Sequence, residues 1–487
     1  MNTKFFIFFI VGSMMMSCAR NPVTGKKEFM LMSEGQELAL GQESDPAIIS
    51  QYGLYDNPTM QEFINDKGKQ MAAISHRPSL PYQFRILDSP VVNAFAVPGG
   101  YVYFTRGIMG HFNNEAEFAG VLGHEIGHIT AKHSAKQYTQ QMLTQIAFIG
   151  GLVFSETFRG MADVAQQGVG LLFLKFSRDH ETQSDELGVD YSTKIGYDAR
   201  QMAGFFKTLQ KLSGENGSVP TFLSTHPDPG DRYTKVGALA VEAQKTLDPA
   251  TLKVNRNAYL KMIDGLIYGD DPKQGYAEND VFYHPELKFQ FGFPAGWKLI
   301  NSPSQVQITP EDGKALITMS LAQGSDLNTA KNTVVEENKL TVIESTNITV
   351  NGLPAIAMMS DILPDPQQQQ QQQEQAQPLR ILTYLIEYNK LIYKLHGLSV
   401  QADFNKYFGS FQSSMKSFKV LTDQSKIDKK PTLIKIVESK KNTTLGQIFT
   451  EYNMPTSKHE TLAILNGMEL NAMVESGTMV KVFGGQY

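Results

Sequence analysis

Two patterns of apolar and polar positions divide the chain. Between residues 113 and 134, apolar side chains such as Phe118, Leu122 and Ile126 recur at helical spacing and predict one long helix. From about residue 287, short apolar or alternating runs predict strands instead, around one polar helical stretch at about 328–342. The predicted strands are Leu287–Phe293, Ala315–Leu321, Leu353–Met359, Ile381–Tyr388 and Leu391–Leu395.

These patterns predict three folded regions after an N-terminal segment of residues 1–17. Residues 18–265 carry every candidate catalytic motif. Residues 278–422 form an α/β module with a glutamine-rich loop at 364–378, and residues 432–487 form a small α+β region. The elements predicted in that last region are a strand at Leu433–Val437, helices at Thr444–Tyr452 and Ser457–Leu465, a turn at Asn466-Gly467 and a strand at Thr478–Phe483.

Composition excludes several classes of protein. With 44 basic and 49 acidic residues in 487, the chain has a net charge of −5. This near-neutral balance argues against a nucleic-acid partner, which would need a clustered basic face. The single cysteine excludes intramolecular disulfides and zinc sites built from several thiolates.

That cysteine closes a segment with the features of a secretory signal. Lys4 precedes the apolar run Phe5–Val11, and small residues and methionines lead to Cys18. The segment resembles a bacterial lipoprotein signal, although Met15 stands where an aliphatic residue is usual. We therefore predict lipidation of Cys18 and attachment to a membrane through the N-terminal lipid. The alternative is an ordinary signal peptide with an incidental cysteine.

The predicted long helix contains an HExxH motif, His124–His128. Residues four apart on a helix lie one above the other, so His124 and His128 can bind one zinc ion. Glu125 lies beside the metal's open position, where it can deprotonate a zinc-bound water. The alternative is an amphipathic helix with two unrelated histidines. His133, nine residues after His124, is predicted to lie on the opposite face, at the surface.

The residues alone do not identify the third zinc ligand. Glu181 and Asp185 are spaced to share one helix face, so that Glu181 could complete a His-His-Glu site and Asp185 could orient a ligand histidine. His180 is turned away and is a weaker candidate. An acidic pair at this spacing is more often a solvated helix face.

Several motifs in order give the chain a specific resemblance. It resembles a zinc endopeptidase of the CAAX-prenyl-protease superfamily, in its bacterial lipoprotein branch. The resemblance covers about residues 20–240. The motifs that carry it are Asn21–Gly25, Asn93–Gly100 leading into a strand at Tyr101–Thr105, Glu115–Glu117 before HExxH, Ser177–Asp185, and His226-Pro227 with Arg232.

The resemblance implies a mainly α zincin protease domain with a small β-sheet, over residues 18–265, and one Zn2+ per chain. It implies that His124, His128 and Glu181 bind zinc, with Glu125 as the general base. Asp185 and Arg232 would support these ligands from behind. His226 would lie near the zinc, where it either stabilises the oxyanion or blocks the open coordination site. Asn93, Ala94, Phe95 and Ala96 would line the cleft as an edge strand that pairs with an extended peptide.

The later regions carry weaker resemblances. His284-Pro285 and Phe293–Trp297 recur in members whose protease domain is followed by a PsbP-like α/β sandwich. Residues 432–487 resemble a LysM-type repeat, which implies peptidoglycan as a further partner.

The predicted function is that of a zinc endopeptidase that cleaves misfolded or unassembled envelope proteins. The predicted location is the bacterial cell envelope, at the periplasmic face of the outer membrane, because Ala19 follows the lipidation site. The alternative is a non-proteolytic envelope chaperone or a cell-wall-binding lipoprotein. The intact set His124, Glu125, His128 and Glu181 argues against pure binding.

Overall fold

The computed structural model describes residues 18–148, 176–214, 221–226, 229–363 and 377–485. The predicted signal segment and most of the predicted glutamine-rich loop lie outside these residues, as does Pro227 of the His226-Pro227 motif. Within the described part of the chain, no helix is long and apolar enough to cross a membrane.

The chain forms two compact units. Unit 1 runs to Gly269 and also includes Thr432–Gly485, whereas unit 2 is Asp270–Pro431. The sequence pattern predicts a separate third region at 432–487, but the structure includes its described residues in unit 1. Leu462 and Val480 belong to the same buried cluster as Leu122 of the HExxH helix.

Unit 1 is mainly helical. Two short strands near its start, β1 (Cys18–Arg20) and β2 (Lys27–Phe29), pair as an antiparallel hairpin. The helices of the unit are α1 (Glu34–Tyr52), α2 (Pro58–Ala73), α3 (Arg106–His111), α4 (Glu115–Thr130), α5 (His133–Phe148), α6 (Arg178–Lys194), α7 (Arg200–Gly214), α8 (Thr221–Thr225), α9 (Pro229–Ala243) and α10 (Arg256–Met262).

A small sheet lies beside the HExxH helix α4. Strand β3 (Gln83–Leu87) runs parallel to β5 (Tyr101–Thr105), and β4 (Ala94–Val97) pairs with β5 in the antiparallel sense. The order β3-β5-β4 leaves β4 at an edge. The predicted strand at Tyr101–Thr105 is therefore the central strand of this sheet.

The predicted long helix at 113–134 is two helices in the structure. Asn114 begins α4 by accepting a hydrogen bond of 2.8 Å from the Glu117 amide, as an asparagine cap commonly does. After Thr130 the chain turns at Lys132, whose φ of +57° is left-handed, and α5 begins at His133. Helical spacing counted from His124 therefore does not apply to His133.

Glycines allow α4 and α6 to approach closely. A Cβ on Gly123 would lie 3.0 Å from the backbone of Gly188, and one on Gly188 would lie 2.9 Å from the Gly120 carbonyl oxygen. Only residues without a side chain permit this contact. It holds the carboxylates of α6 opposite the histidines of α4.

The C-terminal part of unit 1 adds a three-stranded sheet and two short helices. The sheet has the order β21-β18-β6, so that Ile267–Tyr268 pairs with Thr432–Leu433. The elements are β6 (Ile267–Tyr268), β18 (Thr432–Glu438), β19 (Thr443–Thr444), α14 (Leu445–Glu451), α15 (His459–Leu465), β20 (Met473–Val474) and β21 (Met479–Gly485).

Unit 2 is rich in strands, with a seven-stranded antiparallel sheet of order β10-β11-β12-β16-β15-β14-β13 and a smaller sheet of order β17-β9-β8-β7. In the described part of unit 2, the helices are α11 (Leu327–Glu337), α12 (Phe404–Lys416) and α13 (Gln424–Ile427). The strands are β7 (Tyr276–Glu278), β8 (Val281–His284), β9 (Phe289–Gly292), β10 (Lys298–Asn301), β11 (Val306–Thr309), β12 (Ala315–Leu321), β13 (Thr341–Val350), β14 (Leu353–Ile362), β15 (Leu379–Tyr388), β16 (Leu391–Val400) and β17 (Lys419–Val420).

The five predicted strands of this unit correspond to β9, β12, β14, β15 and β16. The predicted helix at 328–342 is shorter and ends at Glu337. Its last residues instead begin β13, an edge strand exposed along most of its length. Such a strand lacks the half-buried alternation by which strands are predicted from sequence.

Candidate active site and metal centre

The two histidines of HExxH lie one turn apart on α4 and face the same point. Their Nε2 atoms are 3.0 Å apart. Both side chains are 1% exposed, and every residue of α4 is buried. A solvated amphipathic helix would leave one face open, so this geometry is that of an internal site.

Helix α6 brings a carboxylate to the same point. Glu181 Oε1 is 3.5 Å from His128 Nε2, and Glu181 Oε2 is 3.6 Å from His124 Nε2. The side chain is buried, with 3% exposure. The alternative of a solvated acidic face therefore does not hold for Glu181 in this structure.

A third histidine completes the cluster from the end of α8. The Nδ1 atom of His226 is 3.3 Å from His124 Nε2 and 3.0 Å from Glu181 Oε1. Its ring stacks on Phe222 with centroids 4.5 Å apart, and its amide donates to the Phe222 carbonyl. Local packing thus holds His226 against the other three residues.

The four side chains fit a metal ion. One ligand atom from each of His124, His128, Glu181 and His226 lies within 4.8 Å of the others, and all four residues are buried. Imidazole nitrogens and a carboxylate oxygen, without a thiolate, are a donor set that zinc accepts. Burying such groups together is costly unless a cation or hydrogen bonds compensate them.

Glu125 projects into the same enclosed space without a hydrogen-bonding partner. The residue is fully buried, and neither of its carboxylate oxygens accepts a hydrogen bond from the described residues. His226 Nε2 lies 3.7 Å from Glu125 Oε1. Burial raises the pKa of Glu125, although the nearby histidines oppose the shift. A buried carboxylate with free acceptor oxygens and a raised pKa is suited to proton transfer.

Asp185 and Arg232 support the cluster from behind. Asp185 Oδ1 is 2.9 Å from His124 Nδ1, and the Arg232 guanidinium contacts both carboxylate oxygens of Asp185 at 2.6 and 2.8 Å. Arg232 Nη1 also forms an ion pair with Glu181 Oε2 at 2.9 Å. The acceptor at His124 Nδ1 leaves the Nε2 lone pair facing the metal position.

Burial and neighbouring charges shift the pKa values of the titratable groups in the site in different directions. Burial raises the pKa of Glu181, but His226 and Arg232 outweigh burial and hold it below its usual value. Burial lowers the pKa of His226, but the carboxylates of Glu181 and Glu125 raise it overall. Burial lowers the pKa of His128 well below its usual value, which keeps a neutral imidazole for a metal.

The prediction that His133 lies at the surface is wrong. The residue is fully buried, and its Nδ1 lies 3.0 Å from His128 Nδ1. The left-handed turn at Lys132 is the cause, because it starts a new helix that directs His133 back toward the metal cluster. The sequence gives little sign of this turn, since the residue there is a lysine and not glycine or asparagine.

Three of the four predicted substrate residues lie in one strand of the small sheet. Ala94, Phe95 and Ala96 belong to the edge strand β4, which packs against α4. The side-chain oxygen of Asn93 is buried and accepts no hydrogen bond from the described residues. Cys18 lies in β1, and its lipidation stays a prediction.

Comparison with known proteins assigns the site to a family. The sequence profile of peptidase family M48 matches residues 58–240. Over these residues the chain is similar to peptidase family M48. The match confirms the predicted relationship to zinc metallopeptidases, and the M48 segment contains all four residues of the cluster together with Glu125, Asp185 and Arg232.

Three curated relatives are similar to part of the chain. The β-barrel assembly-enhancing protease of Yersinia pestis is 29% identical over 225 residues, or 44% of this chain and 46% of that protein. The mitochondrial metalloendopeptidase OMA1 of Arabidopsis thaliana is 31% identical over 194 residues, or 39% of this chain and 38% of that protein. The metalloprotease YcaL of Escherichia coli is 29% identical over 157 residues, or 31% of this chain and 59% of that protein.

The chain therefore spans less than half the length of the first two relatives. Among solved structures, the cyanobacterial PsbP protein of Synechocystis is 11% identical, with a TM-score of 0.22 over 30% of this chain and 91% of that chain. A TM-score this low assigns no fold. The PsbP-like character of unit 2 and the LysM-like character of residues 432–487 stay predictions.

Proposed function

We propose that the protein is a zinc-dependent endopeptidase that is anchored to the cell-envelope membrane and cleaves misfolded or unassembled envelope proteins. The observation that carries the proposal is the buried cluster of His124, His128, Glu181 and His226 with the unpartnered carboxylate of Glu125 beside it. A structural metal site has no need of such a carboxylate, whereas peptide hydrolysis needs a base at this position.

His124, His128 and Glu181 would hold the zinc ion. When bound, zinc would supply Lewis acidity toward water and the scissile carbonyl. Glu125 takes a proton from the attacking water and later returns it to the leaving amine. Its burial supports this role, because burial raises the pKa of the Glu125 carboxyl and so makes the carboxylate a better proton acceptor.

The edge strand β4 supports binding of an extended peptide. Among the described residues, the order β3-β5-β4 leaves one side of β4 without a partner strand, and main-chain hydrogen bonds along such an edge recognise any sequence in extended form. Asn93 adds a buried, unpartnered side-chain oxygen that can accept from a substrate amide. This mode of binding suits unfolded segments of many different proteins.

The envelope location rests on the N-terminal signal and on the relatives. A β-barrel assembly-enhancing protease is similar to 44% of this chain, and its name refers to the assembly of β-barrel proteins. We propose lipidation at Cys18 and placement at the periplasmic face of the outer membrane. Replacing Cys18 with serine should move the protein from the membrane fraction to the soluble fraction, and an unchanged distribution would contradict lipid anchoring.

The decisive experiment compares the full chain with Glu125→Gln on an unfolded protein such as casein. We expect cleavage to fall by about 10²–10⁴-fold, as for removal of a general base. Zinc content should be unchanged, whereas His124→Ala should lose zinc. Glu186→Gln is the matched control, because Glu186 is exposed on α6. Undiminished cleavage by Glu125→Gln, or none by the zinc-loaded parent, would favour a non-proteolytic chaperone.

Peptidoglycan is the further partner proposed for residues 432–487, on the LysM resemblance. The assay should use the full chain, because side chains of that region belong to the core of unit 1 and would be exposed in an isolated fragment. We expect the full chain to sediment together with purified peptidoglycan. A chain that stays in the supernatant would remove the glycan from the proposal and leave the peptidase intact.

A further inference from the structure

The zinc ligand His128 has an unusual partner behind it. The Nδ1 atom of His128 faces His133 Nδ1 at 3.0 Å, and the other ring nitrogen of His133, Nε2, lies 2.9 Å from Gln183 Oε1. The Ser184 hydroxyl is also 3.2 Å from His133 Nδ1. The corresponding position behind His124 is held by the carboxylate of Asp185.

One assignment of the ring protons satisfies all of these contacts. The side-chain oxygen of Gln183 only accepts, so His133 Nε2 carries a hydrogen and donates it to Gln183. In a neutral imidazole the other nitrogen then has a lone pair, so His133 Nδ1 is an acceptor. The hydrogen between the two rings therefore belongs to His128 Nδ1.

This arrangement determines what His128 presents to the metal. With its proton on Nδ1, the Nε2 lone pair of His128 points to the cluster, 3.0 Å from His124 Nε2. A partner behind a ligand histidine fixes both its tautomer and its ring orientation. His133 itself is not placed as a ligand, because its acceptor nitrogen faces the back of the His128 ring.

We propose that His133 is a positioning residue, a neutral acceptor that fixes the tautomer of His128 for zinc through the chain His128–His133–Gln183. This inference rests on the proposed function, since it gives His128 the role of zinc ligand. The alternative is that His133 only fills space, because its ring also stacks on His180 with centroids 4.2 Å apart.

The test measures zinc affinity of the full chain by competition with a chromophoric chelator. His133→Leu keeps the bulk but removes the acceptor, and we expect zinc affinity to fall about 10–100-fold. His133→Asn can place an amide oxygen near the position of Nδ1 and should recover most of the loss. The absorption spectrum of the cobalt-loaded protein should change in His133→Leu and return toward the parent in His133→Asn.

Two further variants separate positioning from packing. His180→Leu changes the stacking partner but no hydrogen bond to His128, and it should leave zinc affinity unchanged. Gln183→Leu removes the acceptor of the His133 Nε2 hydrogen at a half-buried site and should weaken zinc binding, even if His133→Leu does not fold. Equal zinc affinity in parent, His133→Leu and Gln183→Leu would overturn the proposal, as would an equal loss in His180→Leu and His133→Leu.

Measuring zinc affinity separately from cleavage distinguishes a failure of this inference from a failure of the proposed function. A parent that binds zinc but cleaves no protein would contradict the peptidase proposal and leave the expected order of zinc affinities in place. A parent that cleaves protein while all four variants bind zinc equally would contradict only the role of His133.

Discussion

The ammonium group of Lys481 donates a hydrogen bond of 2.7 Å to the carbonyl of Phe112, two residues before the Asn114 cap of the HExxH helix. Its other two hydrogens are directed to the carbonyls of Gly110 and Leu465, each at 2.9 Å. Lys481 is fully buried, and all of its donor capacity is used. A lysine of the C-terminal strand β21 thus holds the chain that enters α4.

Replacing Lys481 with methionine should destabilise unit 1. The variant keeps the aliphatic stem but leaves three buried carbonyls without their donor, so we expect a loss of at least about 3 kcal/mol in the free energy of unfolding. Lys435→Met is the control, because the side chain of Lys435 is 47% exposed on β18. Denaturant unfolding measures both variants. Equal stability of the two would mean that the Lys481 contacts contribute nothing net.

The elements and site residues that could be predicted from the sequence are those determined by local features of the chain. The spacing of Phe118, Leu122 and Ile126 predicts α4, and the one-turn spacing of His124 and His128 predicts their common direction. In unit 2, strands with buried and exposed positions in regular order are predicted near their observed limits. Each of these predictions depends on interactions within a few residues.

Tertiary contacts determine the features that could not be predicted from the sequence. His226 and Arg232 reach the site from distant helices, and only the family resemblance indicated them. The burial of His133 depends on the left-handed turn at Lys132, a residue with no special preference for it. From the sequence alone, Lys481 would be predicted to lie at the surface, because lysine is almost never fully buried without partners.

His226 places a ligand atom within 4.8 Å of those of His124, His128 and Glu181, so it can supply a fourth ligand to the proposed zinc. Zinc in structural sites has four protein ligands, whereas catalytic zinc has three and keeps one open position. If His226 occupies the fourth position of the proposed zinc, it has to withdraw before a substrate carbonyl can bind there. His226→Ala should therefore retain zinc and cleave casein about tenfold faster, the gain expected if about a tenth of the molecules are open. Slower cleavage with zinc still bound would instead assign His226 to the oxyanion.

The contact between Gly123 and Gly188 predicts the effect of one methyl group. In Gly123→Ala the new Cβ would lie 3.0 Å from the Gly188 backbone, which cannot rotate away, so α4 and α6 must separate. We expect a loss of about 1–3 kcal/mol in stability and weaker zinc binding, because Glu181 moves with α6. Gly35→Ala is the control in α1, where a Cβ meets nothing within 4 Å. Unchanged zinc affinity in Gly123→Ala would contradict this packing.

Unit 2 contains a buried histidine that should make it sensitive to acid. His396 is 8% exposed, and its Nδ1 lies 2.8 Å from the Thr383 hydroxyl. Burial, with a smaller effect of Lys394, lowers the pKa of His396 to about 3. The pKa of an unfolded histidine is about 6.5, so the unfolded state binds a proton that the folded state excludes. His284 acts in the same direction, since burial lowers its pKa to about 4.

Stability of unit 2 should therefore be full above about pH 6.5 and fall as the pH drops, by about 1.36 kcal/mol per unit for His396. Between pH 7.5 and 5.0 the parent should lose about 2 kcal/mol more than His396→Gln, in which His284 still titrates. The fluorescence of Trp297 reports this unfolding selectively, because it is the only tryptophan of the chain and packs edge-on against Tyr407 and Phe411. His459→Gln, in unit 1, should leave the pH dependence unchanged. Parallel pH profiles of parent and His396→Gln would show that His396 does not control the acid response.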